Sequence, residues 1–138
     1  MVCVINGCKN LKIFLLGAAT YPTLEIFWRG HTHWTMGVVG GACFVCICRL
    51  ADRMHRCAMW KKCLAGTGAI TAIEFVSGLI VNKKLGLGVW DYSSQPLNLL
   101  GQICLPYCTL WFLLCIPAFW LGEYINYMQS KNKLIITK

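Results

Sequence analysis

Between Cys63 and Val81 the chain runs for 19 residues with one charged side chain, Glu74. A helix of that length, rising roughly 1.5 Å per residue, comes close to the ~30 Å hydrocarbon thickness of a bilayer. A carboxylate inside such a span costs about 2.5–3.5 kcal/mol on insertion scales, so something must hold it. Thr67, Thr71, Glu74, Gly78 and Asn82 recur at helical spacing and make one polar stripe; the remaining face is Ala, Ile, Phe, Leu and Val. The pattern predicts a membrane helix whose polar stripe is turned away from lipid.

Three further hydrophobic segments repeat the theme. The reading is an all-α polytopic membrane protein with helices at about 11–28, 35–50, 63–82 and 98–123, forming one domain over 1–128 ahead of a basic tail at 129–138. Pro22, Pro106 and Pro117 fall inside these segments and predict bends. Gly37 and Gly41, with Gly40 beside them, allow a close helix approach. Asn98 could cap the fourth helix.

Composition agrees. Hydrophobic residues make up 57% and charged residues 13%, about half the charged share of a soluble domain. A net charge of +8 would suggest nucleic acid in a soluble protein. Here the basic residues sit in short clusters between apolar runs, with no aromatic-studded basic groove, so nucleic-acid binding is not expected. Six of the ten cysteines, Cys43, Cys46, Cys48, Cys104, Cys108 and Cys115, lie in apolar runs and read as small hydrophobes rather than a disulfide framework. The first ten residues lack the basic start and cleavage site of a secretory signal.

Ten of the thirteen Lys and Arg residues fall in the N-terminal lead, the 49–62 connection and the C-terminal tail; only Arg29, Lys83 and Lys84 fall on the other side. The positive-inside rule then places both termini in the cytoplasm. The connections 29–35 and 82–97 share the outer face.

Glu25 and Glu74 are the acids set well within hydrophobic segments. They read as a cation, proton or cationic-substrate site, or as carboxyls that fix helix packing through hydrogen bonds. Asp91, within Trp90-Asp91-Tyr92-Ser93, reads as a local turn to Ser93 or as the guard of a substrate mouth; Trp90 and Tyr92 read as headgroup-level aromatics or as part of that mouth. His31 and His33 have a His-x-His spacing that zinc or copper would accept, but no third ligand is near in sequence, so no metal and no cofactor is expected. No phosphate-binding Gly-x-x-x-x-Gly-Lys-Ser/Thr loop occurs. No Ser-His-Asp or Cys-His arrangement follows from the spacing. The chain is therefore not expected to be an enzyme.

The strings RGHTHWTM (29–36), GGACF (40–44), TAIEFVSGLIVN (71–82), VWDYSSQPLNLLGQICLP (89–106) and LWFLL (110–114) together resemble the type IV ABC-transporter permeases, small membrane proteins of Gram-positive-type bacteria. The similarity covers roughly 21–123. It implies a multi-pass protein of the bacterial plasma membrane, and it singles out Glu25, Arg29, His33, Trp34, Glu74, Trp90, Asp91, Tyr92, Asn98, Gln102 and Cys104. Combined with the residue reading, the candidate binding set is Glu25, Glu74, Asp91, Trp90, Tyr92, His33, Arg29, Thr71, Asn98 and Gln102.

The expected function is a permease or transporter subunit with a polar intramembrane site built around Glu25 and Glu74. Four helices enclose little space, so the partners expected are membrane lipid and either further copies of the chain or a separate subunit such as an ATPase. The alternative is a non-transporting scaffold, sensor or assembly factor that binds a partner helix or lipid. A small dual-topology cation exporter, with Glu25 as its proton-coupled carboxylate, would show little charge bias and fits the sequence less well.

Overall fold

The computed structural model describes residues 2–136, with side chains described over 9–131. Four helices account for most of it: α1 (Val2–Arg29), α2 (Trp34–Arg53), α3 (Met59–Gly78), which runs on as a π-helical turn (Leu79–Lys84), and α4 (Leu105–Ile136). Among the described residues no strand forms; Leu99 and Ile103 make one isolated bridge. Three helical stretches, Trp34–Arg53, Met59–Lys84 and Leu105–Lys131, are long and apolar enough to cross a membrane. α1 carries Lys12, the polar stretch 20–23 and Glu25, and over its described residues it contributes no such stretch.

Several helix limits differ from the sequence expectation, and α3 itself begins at Met59 rather than 63. α1 begins nine residues earlier than Leu11, because 2–10 contains no proline and no charge before Lys9 to stop it. α4 begins at Leu105 rather than near Asn98. Leu97, Leu100 and Gly101 all adopt positive φ, at 50°, 53° and 69°, and a left-handed backbone at three positions cannot belong to a right-handed helix. Pro106 thus sits in the first turn of α4, where its missing N–H has no partner to lose, and it is not an internal kink. Within α4 Pro117 is the interior proline, as Pro22 is within α1. Asn98 caps no helix. The segment read as a tail continues α4 to Ile136, while residues 137 and 138 lie outside the described residues.

α1 and α2 pack along a glycine seam. A Cβ added to Gly17 would meet the Gly40 carbonyl oxygen and Phe44 Cβ, both at 2.6 Å; one added to Gly40 would collide with Tyr21 Cβ. The missing side chains let the two backbones touch, which is how helices associate when lipid supplies no hydrophobic drive. α3 and α4 close the other side. Ile47, Ala51, Cys63, Cys115 and Phe119 form a buried cluster toward the 54–58 connection, and Gly66 fits beneath Cys115 and Phe119 where a Cβ would not. At that basic end Lys62 Nζ lies 2.5 Å from Glu123 Oε1, tying α3 to α4. A second cluster, Met36, Val81, Trp90, Tyr92 and Cys104, lies at the opposite end. Three of its members, Trp90, Tyr92 and Cys104, come from the 85–104 connection, which folds inward and plugs that end of the bundle.

Candidate functional site

The two acids flagged by hydropathy are both buried, Glu74 with 2% of its surface exposed and Glu25 with 8%. Each is satisfied in its own way. Glu25 Oε1 accepts from Arg29 Nη1 at 2.7 Å, one helical turn away, and Oε2 accepts from Thr32 Oγ1 at 2.5 Å. Arg29 also donates through Nη2 to the Val89 carbonyl at 3.1 Å, reaching from α1 to the 85–104 connection. Glu25 is therefore a charged group neutralised in place.

Glu74 has no such counter-charge. Its Oε1 accepts from the Tyr92 hydroxyl at 3.1 Å and its Oε2 from Trp111 Nε1 at 2.8 Å. Among the described residues no Lys, Arg or His pairs with it. Aromatic rings surround the carboxylate. Tyr107 stacks on Tyr92 at 4.4 Å between centroids and lies 6.4 Å from Trp111, and Tyr21 lies 5.8 Å from Trp111. The site thus joins α1 through Tyr21, α3 through Glu74, the connection through Tyr92 and α4 through Tyr107 and Trp111. Burial first, and then the charge of Glu74, hold the Tyr92 phenol well above its usual range, so it remains a donor.

The connection reaches this site because Asn82 pins it. From the π-helical turn, Asn82 Nδ2 donates to the Trp90 carbonyl and to Gln102 Oε1, both at 2.9 Å, and its Oδ1 accepts from Val89 N at 2.8 Å. Trp90 Nε1 donates to the Gln102 carbonyl at 3.0 Å, and Gln102 Nε2 to the Leu100 carbonyl at 3.0 Å. Gly78 leaves room for Gln102 and Trp90 against α3. Extended backbone alternates its side chains: Trp90 and Tyr92 turn inward and are buried, and Asp91 turns out. The two aromatics are thus packed inside the bundle end rather than laid at headgroup level.

Asp91 makes the local turn. Its Oδ1 accepts from Ser93 N at 2.9 Å and Ser93 Oγ at 2.5 Å, and these donors hold its carboxyl below the usual range. Asn98 braces the same loop, donating to the carbonyls of Ser93 and Gln95 and accepting from Gly101 N. His33 caps α2, with Nδ1 2.9 Å from Thr35 Oγ1 and 3.4 Å from Thr35 N; His31 Nδ1 lies 3.0 Å from the Arg29 carbonyl. Each imidazole is engaged locally, and no group of three metal-ligating side chains occurs among the described residues. Thr71 Oγ1 faces Cys108 Sγ at 3.5 Å. So Glu74, Tyr92, Trp90 and Gln102 come together, Glu25 and Arg29 join them through Val89, Thr71 bridges α3 to α4 one turn from Glu74, and His33, Asp91 and Asn98 stand apart in local roles.

Four contributors escaped the sequence reading: Thr32, Tyr107, Trp111 and, as the anchor of the loop, Asn82. Tyr107 and Trp111 are four apart on α4, a spacing that marks a shared helical face, but nothing in an apolar run says which face meets a carboxylate.

The family comparison meets this geometry directly: a model described as "Putative ABC-transporter type IV" matches residues 3–136. The chain belongs to that family. Type IV ABC-transporter membership accounts for the membrane-compatible helices and spans the whole of the site just described, from Tyr21 to Trp111. No curated protein and no solved structure matches the chain.

Proposed function

We propose that this chain is the membrane-embedded, non-catalytic subunit of an ABC-type transport system in a bacterial plasma membrane, working with a separate ATPase chain and with further copies of itself. In this reading α1 is a fourth span, the termini and the 54–58 connection face the cytoplasm, and the 85–104 connection closes the outer end. Glu74 is the functional centre. The observation that carries the proposal is a carboxylate 2% exposed, ringed by aromatics and with no cation paired to it among the described residues. A site of that kind favours a proton or an organic cation, which aromatic faces attract as the carboxylate does. Because Tyr92 and Trp111 hold it from different elements, a cation arriving at Glu74 would loosen the connection and α4 together.

A second reading has its own support. Both oxygens of Glu74 and both of Glu25 already have donors, which suits a scaffold whose acids fix packing. Purification from membranes in mild detergent separates the two. The transporter reading expects a stoichiometric partner that hydrolyses ATP, and loss of driven flux in Glu74→Gln with assembly intact. A partner without ATPase activity, or unchanged flux in the variant, leaves the scaffold.

A further inference from the structure

The basic end of the bundle holds a polar cleft that the Glu74 site does not use. α1, α2 and α4 part there around a cavity of about 290 Å³. Ile13 and Val45 give it an apolar floor; Lys9, Arg49, Asp52 and Asn126 give it a polar rim. Asn126 Nδ2 donates to the Cys48 carbonyl at 3.0 Å, which fixes the α4 wall against α2. Two cations against one carboxylate leave the rim net positive. The order of groups repeats on two helices: Lys9 lies one turn from Ile13 on α1, and Arg49 one turn from Val45 on α2. On both, the apolar residue is the one nearer the bundle centre and the cation the one nearer the end. The depth fits as well. The membrane-compatible stretch of α2 ends at Arg53, four residues beyond Arg49, which is the level where a headgroup would meet a span of that length.

We propose that this cleft seats the phosphate of a phospholipid headgroup, with Lys9 and Arg49 on the phosphate oxygens and the glycerol end of the acyl chains over Ile13 and Val45. Basic pockets between membrane helices suit such headgroups, and guanidinium and ammonium groups both donate to phosphate. The assignment needs neither transport nor a particular membrane orientation, so it stands or falls apart from the proposed function.

The test is native mass spectrometry of the full chain in detergent, titrated with phosphatidylglycerol. One lipid should remain per chain. Lys9→Gln with Arg49→Gln should weaken retention about 25-fold, at roughly fivefold for each basic residue near an anionic surface. Val45→Trp should also expel the lipid by filling the floor with no change of charge, and it decides the question if the double variant does not fold. Lys83→Gln with Lys84→Gln, at the opposite end, should change nothing. Saturable binding of inorganic phosphate with no lipid retained supports the phosphate site and assigns the free anion as its source. Wild-type retention in Lys9→Gln/Arg49→Gln, or equal loss in the Lys83/Lys84 control, overturns the site.

Discussion

At the residue scale the decisive contrast is between two buried acids that solve the same problem differently. Glu25 carries its counter-charge one turn away in Arg29, whereas Glu74 relies on two neutral donors. Removing one of them should hurt. Trp111→Phe keeps an aromatic side chain but deletes the N–H along with part of the indole bulk, leaving Glu74 Oε2 short of a partner at a cost of about 1–3 kcal/mol before the lost packing is counted. Tyr92→Phe should cost less, since its bond is longer. Reversible unfolding in mixed micelles measures both; a Trp111→Phe variant as stable as the parent would remove that bond from the account. Asp91 predicts a pH effect of opposite location. Its folded pKa is lowered by the Ser93 donors, so its contribution is fully present above the ordinary aspartate pKa and disappears as pH falls through the lower folded value. Hydrogen exchange at the Ser93 amide should accelerate on acidification through that window, and Asp91→Asn should abolish the pH dependence. The burial of both acids was legible from their apolar neighbours. Their partners were not, because Trp111 and Tyr92 come from distant segments and Thr32 from a connection whose path the sequence does not state.

At the element scale the legible features were those with period or punctuation. The stripe from Thr67 to Asn82 does face inward, and the glycines of α2 do admit another helix. The start of α4 was misread because Asn98 looks like a cap and Leu99, Leu100, Ile103, Cys104 and Leu105 look like a helix. Two leucines in left-handed conformation are a tertiary imposition, made where Asn82 and Gln102 hold the connection against α3. Local propensity cannot report a constraint that arrives from another element. The glycine seam yields a sharp expectation. Gly40→Val would place atoms where Tyr21 Cβ and the Gly17 carbonyl oxygen now sit. Overpacking of this kind costs about 1–3 kcal/mol, and here backbone stands on one side and cannot rotate away. α1 should separate from α2, seen as loss of a disulfide cross-link engineered across the pair and as faster proteolysis of α1. Retained cross-linking in Gly40→Val would mean that the seam is looser than the structure describes.

At the scale of the whole molecule the chain carries its own reporter of orientation. Cys57 is exposed in the 54–58 connection, while Cys43, Cys48, Cys63, Cys104 and Cys115 are buried and Cys46 and Cys108 half-buried. The basic residues flanking Cys57 favour the cytoplasmic side, since translocating a cluster of five against one carboxylate is resisted. A membrane-impermeant maleimide should therefore leave Cys57 unlabelled in intact cells and label it in inverted vesicles. A cysteine placed at the exposed Ser94 should do the reverse. Comparing wild type with Cys57→Ser isolates the signal from the remaining thiols. Labelling of Cys57 from outside would invert the topology. It would put the basic connection on the side where no ATPase can dock and the Glu74 plug on the cytoplasmic side, so a transporter with a separate ATPase would have to be engaged through the 85–104 connection instead. That result would leave the helix packing and both buried acids untouched.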